Sequence, residues 1–234
     1  MSDLKRVGTG IKGFDKLVEG GFPAGKAILL SGTPGCGKTI FALQFLYNGA
    51  TQFRQKGLYI TFEEEVAHLK RQASQFGWDF DALEKRGMVS FLPIPSSQIT
   101  AHTPKEILRK IEAKGYERVV IDSLSTLAIN TPTTFISEAE LTEIAIQRFM
   151  YYFVSSIRQT GATSLLISQA HQGQLSRDGV SEFICDGIIH IAQESIGGQF
   201  SRSLIVKKMR ETKNDEDIHP LEISQKGLVV HTMR

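Results

Sequence analysis

The chain has 234 residues, 41% hydrophobic and 22% charged, with 27 Lys and Arg against 25 Asp and Glu for a net charge of +2. That make-up supports one α/β domain over residues 1–234 and, with no dense Lys/Arg block, excludes a nucleic-acid footprint read from charge alone. Only Cys36 and Cys185 occur, which excludes a disulfide framework and suits a reducing cytoplasm; no apolar run approaches the roughly 20 residues of a membrane span.

In chain order, Met1 to Gly10 carries Asp3, Lys5 and Arg6 without an apolar core, so no leader is expected. Short apolar runs then alternate with helical patterns. Strands are predicted at Ala27 to Ser31, Leu58 to Phe62, Met88 to Leu92, Val119 to Asp122 and Ser164 to Gln169. Helices are predicted from Lys38, Glu65, Pro104 and about Ser137. Such alternation implies a mainly parallel, twisted sheet flanked by helices. Val66, Leu69, Ala73 and Phe76 recur at helical spacing, as do Leu141, Ile144, Phe149, Tyr152 and Ile157, and both stripes are expected in the core. After Gln169 the pattern changes. Gly187 to Ala192, Ser203 to Lys208 and Leu221 to His231 read as successive antiparallel strands. The polar stretches Ser123 to Ser137 and Ala170 to Glu182 leave the carboxyl ends of strands, the edge where ligand-facing loops gather.

The run Gly32-Thr33-Pro34-Gly35-Cys36-Gly37-Lys38-Thr39 is GxxxxGKT between an apolar strand and a helix. Main-chain N–H groups can turn inward around phosphates there because Gly32, Gly35 and Gly37 carry no obstructing side chain. Lys38 adds charge near the β and γ groups, and the Thr39 hydroxyl can hold Mg²⁺. A nucleoside triphosphate is the expected ligand.

Phosphoryl transfer also needs a metal-organising carboxylate. Asp122 ends the apolar run Val119-Val120-Ile121 and is expected to reach Mg²⁺ through water, although the same pattern in isolation is an ordinary strand ending in an Asx turn. Glu63 and Glu64 follow a strand and are candidates to activate water, while helix-dipole preference accounts for Glu65 and is an alternative for Glu64. Gln169 is either a γ-phosphate sensor or a loop-entry glutamine. Lys207-Lys208-Met209-Arg210 ends a strand expected to point away from its own phosphate loop, so its cations suit a neighbouring subunit, the alternative being a solvated strand end. The six histidines show no metal-ligand spacing, and His68 is expected near the apolar face of its helix, where a satisfied structural histidine is favoured over a ligand.

These pieces resemble the KaiC family of RecA-like ATPases, and within it the single-domain KaiC-like proteins common in archaea. The resemblance spans nearly the whole chain. Its carriers are Gly8-Thr-Gly-Ile-Lys-Gly-Phe-Asp15 with Gly20-Gly21, the phosphate loop, Phe62-Glu63-Glu64, Phe76-Gly77-Trp78-Asp79, Val120-Ile121-Asp122-Ser123, Cys185-Asp186-Gly187-Ile188 and Lys208-Met209-Arg210. It implies a RecA-like core, ATP with Mg²⁺, slow hydrolysis and a hexameric ring with nucleotide at subunit interfaces. Glu63 and Glu64 would activate water, and Lys208 and Arg210 would reach the adjacent protomer's nucleotide. Adenine as the base is also implied by the resemblance.

Two departures narrow it. Clock KaiC doubles the domain and carries a phosphorylatable Ser-Thr pair, where alignment on Asp186 places Glu182 and Phe183, arguing against an autokinase. The family's usual K-M-R-G-[ST]-x-H is replaced after Arg210 by Glu211-Thr212-Lys213-Asn214. The expected function is a cytoplasmic ATPase coupling nucleotide state to a protein partner that the residues do not name. The alternatives are a nucleotide-gated DNA-binding or recombination protein, an assembly module in which turnover is incidental, and a kinase. Nucleic acid is disfavoured because Ser123 to Ser137 has no Lys or Arg and Ala170 to Glu182 has only Arg177.

Overall fold

A computed structural model describes residues 4–130, 143–170, 174–193 and 201–232. The chain opens with β1 (Arg6–Val7), paired antiparallel with β2 (Phe22–Pro23). Then follow β3 (Ala27–Gly32), α1 (Lys38–Gln52), β4 (Gly57–Thr61), α2 (Val66–Ser74), α3 (Phe80–Lys85), β5 (Val89–Pro93) and α4 (Thr103–Lys114). The second half runs β6 (Arg118–Asp122), α5 (Leu124–Ile129), α6 (Glu143–Gln159), β7 (Thr163–Gln169), α7 (Ser181–Ile184), β8 (Gly187–Ala192), β9 (Ser203–Met209), β10 (His219–Ser224) and β11 (Gly227–Val230).

Among the described residues, nine strands form one sheet in the order β11-β10-β9-β8-β3-β7-β6-β4-β5. From β8 to β5 every pair is parallel, and β9, β10 and β11 continue antiparallel. β3 can sit in the middle because Ala27–Gly32 is buried throughout, as a strand covered on both faces requires. Side chains alternate between two cores. Ile28, Leu30, Tyr59, Val120 and Leu165 face α1, α2 and α3, whereas Leu29, Leu58, Ile60, Val119 and Ile121 face α4, α5 and α6. Because Thr61 pairs with Asp122, Tyr59, Thr61, Val120 and Asp122 share the α1 side, and this register builds the floor of the site.

The segment Gly8 to Asp15 is a clasp. Asp15 accepts from Thr9 N at 2.9 Å, Thr9 Oγ1 at 2.6 Å and Gly10 N at 3.0 Å, and Asn48 of α1 donates to Thr9 O at 3.0 Å. Arg118, fully buried at the start of β6, donates to Gly8 O at 2.7 Å, Phe45 O at 2.8 Å and Gln55 Oε1 at 2.7 Å, with its guanidinium over the Phe45 ring. Burial pushes Arg118 down to about 10, which leaves it charged at neutral pH.

Three expectations need correction. Leu221 to His231 is a hairpin, β10 and β11, because Gln225-Lys226 turns the chain and Ser224 Oγ caps Gly227 O at 2.7 Å. Ile144 and Tyr152 are exposed rather than core, since the inward arc of α6 is formed by Phe149, Met150, Phe153, Val154 and Ile157 on the opposite side. The stretch after Asp122 is helical as far as Ile129, because Ser123 caps α5 by accepting from Thr126 N at 3.2 Å. Leu141 and the predicted start of its helix near Ser137 lie outside the described residues.

Candidate functional site

The loop from β3 to α1 leaves the carboxyl edge of the parallel strands. Gly37 precedes the helix at φ 112°, a conformation that L side chains rarely adopt. At Gly32 a Cβ would lie 2.2 Å from Ile191 O, so the neighbouring strand β8 permits glycine alone. Lys38, almost fully buried, donates to Gly32 O and Thr33 O, each at 2.8 Å, and lies 3.8 Å from Cys36 Sγ. Burial raises the Cys36 thiol above its ordinary value, with Lys38 opposing, so the loop cysteine is a thiol at neutral pH.

Pro34, Gly35, Lys38 and Thr39 face Thr61, Glu63, Glu64, Asp122, Ile167 and Gln169 across a cavity of about 180 Å³. The fold therefore converges on one cleft the phosphate loop, both candidate glutamates, the carboxylate ending β6 and the glutamine ending β7. That volume is below the roughly 300–1,000 Å³ usual for small-molecule sites. A larger groove of about 530 Å³ by Val66, Lys70 and Asp81 lacks such convergence, its Lys70 being neutralised by Asp81 and Glu84.

Each side chain of the cleft is held by neighbours. Asp122 Oδ2 accepts a 2.6 Å hydrogen bond from Tyr59 Oη. Burial pushes the Asp122 carboxyl up to about 6; Tyr59 and Lys38 oppose this, while Glu64 and Glu63 add to it. Tyr59 is raised well above its ordinary value by burial and then by Asp122, so it keeps its proton and donates. Thr126 Oγ1 donates to Glu63 Oε1, and that threonine lies 3.0 Å from Ser123 Oγ. Thr61 Oγ1 accepts from Glu64 N at 3.0 Å, turning the chain sharply after β4. Gln169 N donates to Ser125 Oγ at 2.9 Å, linking β7 to α5. Thr39 and Asp122 offer hard oxygen donors, and among the described residues no group of three His, Cys, Asp or Glu side chains is placed to hold a metal ion by itself. This sparse oxygen set fits Mg²⁺, which keeps several waters and takes one or two carboxylates plus phosphate oxygens.

His68 departs from the sequence expectation. Its side chain is 60% exposed and Nδ1 lies 3.3 Å from Glu64 Oε2, because only Leu69 and Ala73 of α2 are fully buried and His68 sits beside that narrow stripe. Lys208 and Arg210 lie away from the cleft. Lys208 Nζ donates to Cys185 O at 2.8 Å and Glu182 O at 3.2 Å. Arg210 reaches Asp186 Oδ1 at 3.3 Å and Phe183 O at 3.4 Å. Burial, then Arg210, lowers Lys208 from its ordinary value. A register shift between Ile188 and Ile189 bulges β9 immediately before Lys208, a device that re-aims side chains. Sequence reasoning missed Tyr59, whose signal was a hydroxyl inside a strand buried on both faces. It also missed Arg202, which brings Nη2 to 3.5 Å from Gly35 O.

A glycine-rich loop between a central parallel strand and a buried helix, with a carboxylate at the end of β6 on the far side of β7, defines a P-loop nucleotide-binding protein. Comparison makes this specific. The KaiC ATPase family model matches residues 7–234, and the chain belongs to that family. A UPF0273 protein of Thermotoga maritima is 35% identical over 97% of this chain and 96% of its own length, and a UPF0273 protein of Pyrococcus horikoshii is 35% identical over 97% and 94%. The circadian clock oscillator protein KaiC of Parathermosynechococcus lividus is 32% identical over 94% of this chain, which corresponds to 41% of that protein. The crystal structure of KaiC-like protein PH0186 from Pyrococcus horikoshii superimposes with a TM-score of 0.84 at 34% identity, covering 98% of this chain and all of that one. No helix among the described residues is long and apolar enough to cross a membrane.

Proposed function

We propose that this protein is a slow, Mg-dependent ATPase, a single cytoplasmic domain that assembles into a hexameric ring and passes its nucleotide state to a protein partner. One observation carries the reading: the phosphate loop, Asp122, Glu63, Glu64 and Gln169 line the same cleft. Main-chain amides from Gly32 to Thr39 and the Lys38 ammonium hold the triphosphate. Thr39 and Asp122 would hold Mg²⁺, which would supply positive charge to offset that of the phosphates. Water oxygen attacks the γ-phosphorus, the bond to the ADP oxygen breaks, and the water proton passes to the Glu63/Glu64 pair.

The sheet supports placing Lys208 and Arg210 in a neighbour's site. Met209 pairs with Gly187, which pairs with Ile28, so the basic strand end is level with the start of β3, whereas the phosphate loop leaves its end. Two measurements test the reading. Lys38→Ala should abolish nucleotide binding, and a Glu63→Gln, Glu64→Gln double variant should bind ATP yet lose turnover. Full activity in the double variant refutes the chemistry. A strict monomer in solution, with and without Mg-ATP, refutes the ring.

A further inference from the structure

Tyr59 occupies the middle of β4 with no exposed surface. A phenylalanine would fill that apolar space without burying a hydroxyl, whose burial without a partner is costly. The partner present is Asp122 Oδ2 at 2.6 Å, reached diagonally across the β4–β6 pair on the shared α1 side. Among the described residues the other oxygen, Oδ1, makes no protein hydrogen bond, and the carboxylate lines the cleft opposite Thr39. The direction of the phenol is itself fixed. Its ring stacks on Phe91 of β5 at 5.7 Å and 28°, and Phe91 meets Phe80 of α3 edge-on at 5.4 Å and 77°. Three aromatic rings thus run from a helix across the sheet edge to one carboxylate.

We propose that Tyr59 is a positioning residue for the metal-holding carboxylate: its hydroxyl engages Oδ2 of Asp122 and thereby holds Oδ1 toward the bound cation. The proposal rests on the assignment of Asp122 to Mg²⁺ made above. Groups that orient a metal-holding side chain are commonly worth about 10- to 100-fold in metal affinity, and Tyr59 falls in that class. The ring stack matters because an unrestrained phenol would swing out of line and weaken the hydrogen bond.

The test uses Mn²⁺ as a spectroscopic stand-in for Mg²⁺, titrated into the full chain saturated with ATP and followed by electron paramagnetic resonance. A fluorescent ATP analogue in EDTA gives nucleotide affinity without metal. Tyr59→Phe, which keeps the ring and its stacking, should weaken Mn²⁺ binding about tenfold or more while metal-free nucleotide affinity stays within about twofold. Phe91→Leu, which keeps the hydroxyl but frees the ring, should produce a smaller shift in the same direction. Asp122→Asn should weaken Mn²⁺ more than either. If Asp122→Asn weakens Mn²⁺ but both other variants match wild type, the Tyr59 assignment is overturned and the metal assignment stands. Unchanged Mn²⁺ binding in Asp122→Asn overturns both. Equal losses with and without metal in Tyr59→Phe mark a packing residue and also overturn the proposal.

Discussion

If Lys208 and Arg210 serve a neighbour, two dead proteins should make a live one. The paired register puts Met209 level with Ile28, four residues before Gly32, so the basic strand end lies about 13 Å from the loop at about 3.3 Å per residue. β9 then continues away from the loop, and both side chains point to carbonyls around α7, so neither can close that gap in its own subunit. Lys38→Ala removes the loop cation and Arg210→Ala the strand-end cation. Each alone should lose most turnover, by about 10³-fold or more where such a cation acts in trans. Mixed in equal amounts and reassembled, half of the subunits carry an intact loop and half of their neighbours an intact arginine. Head-to-tail contacts then complete about a quarter of the sites. Phosphate release measured against mixing ratio should peak at equal amounts, at about a quarter of wild-type activity per site. A mixture no more active than its components, under conditions where mass measurement shows mixed rings, would refute the in-trans arrangement. Full activity of Arg210→Ala alone would refute any role for that cation.

Two further outcomes follow from buried charges. Asp122 has a folded value of about 6 against an ordinary 3.8, so the folded state holds the proton more tightly; this contribution to stability is complete below pH about 4 and lost as pH rises through 6, up to about 3 kcal/mol. Metal-free wild type should therefore gain melting temperature relative to Asp122→Asn on acidification from pH 7 to 5, with Mn²⁺ affinity falling over the same interval; parallel melting curves would contradict this. Arg118→Met strips the donors from Gly8 O, Phe45 O and Gln55 Oε1 and should cost about 3–5 kcal/mol in urea unfolding, whereas a loss under about 1 kcal/mol would mean that the clasp reseats without it.

The parallel core was legible because each strand is a short apolar run ended by chemistry, as in Val119 to Asp122, and because glycine spacing at Gly32, Gly35 and Gly37 has few structural uses. Proximity of Glu63 and Asp122 followed once β4 and β6 were neighbours, but strand order is a tertiary fact that no local pattern states. His68 was misjudged because one helical turn offers several apolar arcs, and burial of Leu69 and Ala73 alone decides which faces inward. Ile144 and Tyr152 were misplaced for the same reason. Tyr59 stayed invisible because a tyrosine among Leu58, Ile60 and Phe62 satisfies strand propensity, and only the register reveals its hydroxyl beside a carboxylate.

Arg118 draws together the clasp at Gly8, the middle of α1 at Phe45 and the loop at Gln55, segments far apart in sequence, around one ion shut away from water. None of the three can lift away without stranding that charge, so small openings that elsewhere let deuterium into a backbone one turn at a time are suppressed here. The amides around Gly8 and those of β6 belong to one cooperative unit and should exchange together, at a rate set by unfolding of the whole core.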